Sequence, residues 1–144
     1  MARMVASREK FAAFLQRERG TARFLVAVPN AFVAAPLIMA TGAPVMAMGG
    51  YLGVDPILNP GDLARLARSG DLRFVMLGGF SLTPRSRISQ QALSEWVRAN
   101  GTPVDPSLWR SEAAAGRQTY RAPAAGVRLS LDPPELFDLT PASQ

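Results

Sequence analysis

The side chains that most often do chemistry are missing from this sequence: it has no histidine and no cysteine. The usual general base, the thiol nucleophile, the common zinc ligands and any disulfide framework are therefore excluded. What remains is glycine, carboxylate and arginine. Asp55 is the first carboxylate after a long uncharged stretch and follows two glycine-rich turns, Gly49-Gly50-Tyr51 and Gly53. It could accept hydrogen bonds from a ligand, and as part of Asp55-Pro56 it could equally cap a turn. Gly78-Gly79 forms a second pair of this kind, which could let a backbone approach a ligand and present N–H groups or simply make a turn. Arg85 and Arg87 could clamp a phosphate or belong to a solvated loop. Asp62 and Asp71 fall on predicted helix and turn surfaces, no carboxylate pairs evidently with Asp55, and no serine has a recognisable base. No catalytic residue is assigned, and neither a metal nor a cofactor is expected.

The glycines do not spell a dinucleotide fingerprint. That motif needs G-x-G-x-x-G opening directly into a helix, whereas Gly49, Gly50 and Gly53 run into Val54-Asp55-Pro56. Their meaning depends on the elements that carry them. From Phe24 to Val54 the chain reads FLVAVPNAFVAAPLIMATGAPVMAMGGYLGV, with no ionisable side chain between Arg23 and Asp55. A membrane helix needs about 20 consecutive apolar residues, but Pro29, Pro36, Gly42, Pro44, Gly49 and Gly50 punctuate this run. Divided at those breaks it predicts a strand over Ala22 to Val28, a helix over Asn30 to Thr41 and a strand over Pro44 to Met48. Strands covered on both faces need no polar alternation, so a parallel β-α-β unit accounts for the missing charge without lipid.

The other elements follow from local signals. Ser7 to Arg19 predicts an amphipathic helix, with Phe11, Phe14 and Leu15 on one face and Gly20 as its stop; it is expected to pack on the sheet, a membrane-surface role being the alternative. Asn59-Pro60-Gly61-Asp62 opens a helix whose stripe is Leu63, Leu66 and Ala67 and whose stop is Gly70. Leu72 to Leu77 is a third strand, ended by Gly78-Gly79. Ile88 to Ala99 is a further helix presenting Ile88, Ala92, Leu93, Trp96 and Val97. Beyond Thr102 the segments TPVDPSLWR, QTYRA, VRLSL and ELFDL each suggest a short strand or edge piece. The expected architecture is α/β: a three-layer α/β/α sandwich around a short, mostly parallel sheet, with a loosely structured C-terminal tail. Residues 1–20 form the amphipathic helix, 21–110 the core and 111–144 the tail. In such sheets ligands sit beyond the carboxyl ends of the strands, which selects Asn30, Gly49, Gly50, Tyr51, Asp55, Gly78 and Gly79 as candidate ligand-binding residues.

The totals agree with one folded domain. Of 144 residues 48% are hydrophobic and 19% charged, enough to bury a core and too apolar for disorder. The net charge is +5, from 15 arginines and the single Lys10 against 11 acids. The arginines are scattered with no aromatic-studded basic run, so no nucleic-acid partner is expected. Before Phe24 there is no apolar h-region of a secretory signal.

The block AAPLIMATGAPVMAMGGYLGVDPIL, followed by the capped helix, LRFVML, SEWVRANGTPVDPSLW and a late LFDL, resembles the C-terminal soluble domain of bacterial polytopic membrane glycosyltransferases. These are mannosyltransferase-like enzymes of the group that includes protein mannosyltransferases and aminoarabinose transferases. The likeness runs from Ala22 to Leu139. It implies a polyprenyl-phosphate-sugar donor, a glycan acceptor, a multi-spanning catalytic region as partner in cis or in trans, and a place on the extracytoplasmic face. The chain departs from the pattern at Leu52, where relatives often carry Ser, at FSLTPRSR, where they are glycine-rich, and at Gly101, where Cys often precedes Thr-Pro-Val. The resemblance carries over no catalytic residue, and it assigns no role to Gly49, Gly50 or Asp55. The expectation is a membrane-associated, Rossmann-like module that assists binding or docks on the membrane part and does not catalyse alone. A cytoplasmic protein binding a sugar phosphate or nucleotide, and an interaction domain without a ligand, remain as alternatives for a stand-alone chain.

Overall fold

A computed structural model describes residues 2–50, 58–81, 90–110, 118–121 and 128–140. The chain runs α1 (Ala2–Glu18), β1 (Val26–Val28), α2 (Ala31–Thr41), β2 (Val45–Ala47), α3 (Pro60–Ser69), β3 (Phe74–Ser81), α4 (Gln91–Asn100), β4 (Thr102–Pro103), α5 (Pro106–Trp109), β5 (Gln118–Arg121) and β6 (Arg128–Asp138). Six strands make one sheet in the order β2-β1-β3-β6-β4, with β5 also on β6. β1 pairs parallel with β2 through Val26↔Val45 and Val28↔Ala47, and with β3 through Ala27↔Val75. Over its described residues the uncharged stretch is thus the predicted parallel β-α-β unit, and no helix among the described residues is long and apolar enough to cross a membrane.

Alternation along the strands separates two cores, one on each face of the sheet. Val26, Val28, Phe74, Met76 and Leu136 point to one face, where they meet Phe11, Phe14 and Leu15 of α1, Ala34 and Leu37 of α2, and Trp109 of α5. Ala27, Val75, Leu77 and Phe137 point to the other, against Leu63 of α3 and Leu93 and Val97 of α4. This is the three-layer α/β/α sandwich. Each fully buried Leu, Val or Phe contributes about 1.5–3 kcal/mol. Phe14 meets Phe74 edge-on at 5.6 Å, and the Phe11 and Trp109 ring centroids lie 5.2 Å apart.

Local signals set the helix ends. The Asn59 side chain accepts from the Asp62 N–H and the Asp62 carboxylate from the Asn59 N–H, a capping box, with Pro60 in the first turn and Gly70 closing α3. α2 is capped by Asn30 at its start and by Gly42 at its end and contains Pro36. The predicted stripe of α4 holds at Leu93 and Val97 with Trp96 partly buried, but Ala92 is exposed and Ile88 lies outside the described residues.

The C-terminal half differs from the sequence reading in three places. β3 does not stop at Gly78-Gly79 but continues to Ser81, because β6 pairs antiparallel along it from Phe74↔Asp138 to Ser81↔Ser130. VRLSL and ELFDL are one strand. The prolines between them are accommodated by a register shift between Leu77 and Gly79, where Gly78 faces Pro133-Pro134. β5 pairs with residues 128–131 and β4 with 137–138, so on that side too the prolines, which lack an N–H, fall outside the paired positions. TPVDPSLWR is not a single strand. Asp105 accepts from the Ser107 N–H, Pro106 starts α5, and Trp109 anchors it in the core.

Candidate functional site

The connections leave β1 and β3 on opposite faces of the sheet. β1 leads to α2 over one core, and the chain after β3 leads to α4 over the other. Adjacent parallel strands whose connections diverge leave a crevice beyond their carboxyl ends, the topological switch point.

Three of the candidate residues come together there. Asn30 has extended backbone at φ −152° and is 2% exposed, and its Oδ1 accepts from the Val33 N–H at 3.1 Å, capping α2. The turn after β2 is laced to this end of β1: the Gly49 N–H donates to the Pro29 carbonyl at 3.0 Å, and the Ala31 N–H donates to the Gly50 carbonyl at 3.0 Å. Gly78 has φ +77°, and Gly79 pairs with Asp132 in the β3–β6 ladder. Tyr51 and Asp55 lie outside the described residues, as do Arg85 and Arg87.

A further residue belongs to this end of the sheet. Gln90 is 8% exposed at the start of α4, and its Nε2 donates to the Pro29 carbonyl at 3.1 Å. Among the described residues only Asn30 and Gln90 are buried polar side chains, and both converge on Pro29-Asn30. Burying an amide is unfavourable unless it is hydrogen-bonded, and both amides of this polar floor are. No sequence signal marks Gln90, since a glutamine before an amphipathic helix reads as a solvated flank.

The described residues at this end of the sheet supply no group that could move a proton. Pro29, Asn30, Met48 to Gly50, Gly78 to Ser81 and Gln90 include no titratable side chain. The carboxylates with depressed pKa values lie elsewhere and have structural causes. The Asn59 N–H, then Arg65, lowers Asp62; the Ser107 N–H and hydroxyl lower Asp105. For Asp138 burial pulls upward, but hydrogen bonds from Arg73 and Thr140 outweigh it and the net direction is down. Arg73 lies just before β3, at the sheet end opposite the crevice.

Comparison with known proteins supplies the class of this domain. Residues 11–100 match the family model described as "Putative mannosyltransferase YkcB-like, C-terminal". The chain belongs to this family of C-terminal domains. It is 30% identical over 105 residues to "Putative mannosyltransferase YkcB" of Bacillus subtilis (strain 168), covering 73% of this chain and 14% of that protein. It is 29% identical over 91 residues to "Putative mannosyltransferase YycA" of the same organism, covering 63% of this chain and 12% of that protein. The chain therefore spans about one-seventh or less of the length of these relatives. No solved structure matches it.

Proposed function

We propose that this chain is the soluble, extracytoplasmic-type module of a membrane glycosyltransferase that uses a polyprenyl-phosphate sugar, and that it assists donor or acceptor binding without catalysing transfer alone. The catalytic region is a polytopic membrane partner, supplied in the same polypeptide or as a separate subunit. The observation that carries this reading is the family match from Phe11 to Asn100, which includes both buried amides of the crevice. Asn30, Gly49, Gly50, Gly78 and Gly79 form the binding site, joined on sequence grounds by Tyr51 and Asp55. A separate protein that binds a sugar phosphate is the second reading, favoured by the amide floor alone.

Transfer needs a positioned base or carboxylate and stabilisation of a leaving phosphate, and the described crevice offers neither. The purified chain incubated with radiolabelled polyprenyl-phosphate sugar and acceptor should give no product, and product should appear or increase when membranes containing the polytopic region are added. Turnover by the chain alone overturns the module reading, and the absence of any effect on the membranes favours the second one. In parallel, Asp55→Asn should weaken calorimetric binding of a sugar phosphate by about 1.5–3 kcal/mol, one charge-assisted hydrogen bond, with an unchanged melting temperature. Equal affinity removes Asp55 from the site.

A further inference from the structure

In doubly wound sheets a phosphate sits on the amino end of the helix that follows β1, where the first-turn N–H groups and the helix dipole point at it. α2 is that helix here, and its amino end is already occupied. The Ala31 N–H donates to the Gly50 carbonyl at 3.0 Å, the Val33 N–H donates to Asn30 Oδ1 at 3.1 Å, and the Ala34 N–H opens the helix ladder on the Asn30 carbonyl at 3.1 Å. Two N–H groups of the first turn therefore face oxygen atoms of the protein itself, at the distance at which a phosphate would offer its own.

The Gly50 oxygen is held there by more than one contact. Met48, Gly49 and Gly50 follow the path of β1 into α2: the Met48 N–H donates to the Val28 carbonyl at 2.8 Å, the Gly49 N–H donates to the Pro29 carbonyl at 3.0 Å, and the Gly50 carbonyl then accepts from Ala31. Gly50 stands at φ +70°, and its own N–H closes the turn on the Ala47 carbonyl at 3.3 Å. From the α4 side Gln90 Nε2 donates to the same Pro29 carbonyl. Asn30 is 2% exposed, so a phosphate could take its place on Val33 only by breaking a buried cap. An anion arriving here would meet carbonyl oxygens, and no cation stands among the described residues Pro29 to Val33, Met48 to Gly50 and Gln90 to offset them. A hydrogen-bond donor fits where an anion does not. A carbonyl oxygen has two acceptor lone pairs, and Gly50, which is partly exposed, accepts one N–H there, from Ala31. A neutral hydroxyl can donate to the second; an ionised phosphate cannot.

We infer that the crevice at the carboxyl end of β1 selects a neutral, hydroxyl-bearing group and keeps phosphate off α2, so that a polyprenyl-phosphate sugar or a glycan acceptor is held there by its sugar ring and not by its phosphate. The Gly50 carbonyl and Asn30 Oδ1 are the groups that exclude the anion. The choice of a sugar rests on the module reading above, whereas the exclusion of phosphate stands on the hydrogen bonds of α2 alone.

Amide NMR titrations of the purified, unsubstituted chain with mannose, mannose 1-phosphate and pyrophosphate test this without relying on a variant that must fold. Mannose and mannose 1-phosphate should both move the Gly49 and Gly50 signals, with dissociation constants within about threefold of each other, since the phosphate gains no charge-assisted hydrogen bond. Pyrophosphate should leave Ala31 and Val33 unmoved. Binding of mannose 1-phosphate about tenfold or more tighter than mannose, with Ala31 and Val33 shifted, seats the phosphate on α2 and overturns the proposal. Movement of those two amides by pyrophosphate alone overturns it as well, and so does the failure of mannose to move Gly49 and Gly50. Sugar transfer in the presence of membranes is a separate measurement, so the module reading can stand while this one fails.

Discussion

Arg73 joins three elements that are remote in the chain. Its Nη2 donates to Asp138 Oδ2 at 3.0 Å, its Nη1 to the Glu18 carbonyl at 2.5 Å, and its own carbonyl accepts from the Leu139 N–H at 2.7 Å. The guanidinium thus closes the C-terminal end of α1 and fixes the start of β3 beside the end of β6. With the Asp138 side chain 22% exposed, losing the pair should cost about 1–3 kcal/mol. The folded pKa of Asp138 lies below its unfolded value, so folding favours the ionised form. The stabilisation is fully present above the unfolded carboxylate pKa, near 3.9, and is lost as pH falls through the lower folded value. Urea titrations from pH 7 to pH 2 should show Asp138→Asn less stable than wild type at neutral pH, with the difference shrinking below about pH 4. A difference that is constant with pH would mean that the charge contributes nothing.

At the scale of elements, the helices of this protein are legible locally and its longest strand is not. Asn59 and Asp62 are three positions apart and cap each other, and Phe11, Phe14 and Leu15 reveal their face by spacing alone. By contrast, Pro133-Pro134 divides β6 in the sequence, and only the facing Gly78 shows how the strand passes them. At φ +77° Gly78 occupies a region that L side chains enter at a cost of about 1–2 kcal/mol. Gly78→Ala should therefore lower stability by about that amount and increase amide exchange in the half of the β3–β6 ladder beyond the shift, from Gly79 to Ser81. Uniform loss of protection along β3 would contradict a local role for the bulge.

For the molecule as a whole, one sheet serves both cores, since consecutive residues of β3 alternate between them: Phe74 and Met76 to one, Val75 and Leu77 to the other. Neither helical layer can detach without exposing the strand residues it shares with the ladder. Phe74→Ala on one face and Leu63→Ala on the other should each cost about 2–5 kcal/mol and lower the same cooperative transition. Separate transitions, each sensitive to one substitution, would show the layers to be independent. The carboxyl end of β1 draws on both layers: Asn30 caps α2 on one face, and Gln90 leads α4 on the other.

The sequence by itself determined whatever is decided within a few residues or by composition. The lack of His and Cys, the capping box of α3, the faces of α1 and α3, the β-α-β parse of the uncharged run and the family block ATGAPVMAMGGYLGVDPIL are all local patterns. They are legible because their interactions span one or two helical turns. Tertiary structure alone decided the rest. Gln90 and Pro29 are 61 positions apart, and Arg73 and Asp138 are 65. No periodicity encodes such pairs, because each exists only once strand order has been set by the packing of both sheet faces. The same holds for α2: its lack of charge is visible in the sequence, but whether an uncharged helix is covered on all sides depends on how many layers the chain can stack, and here its outer stripe remains exposed.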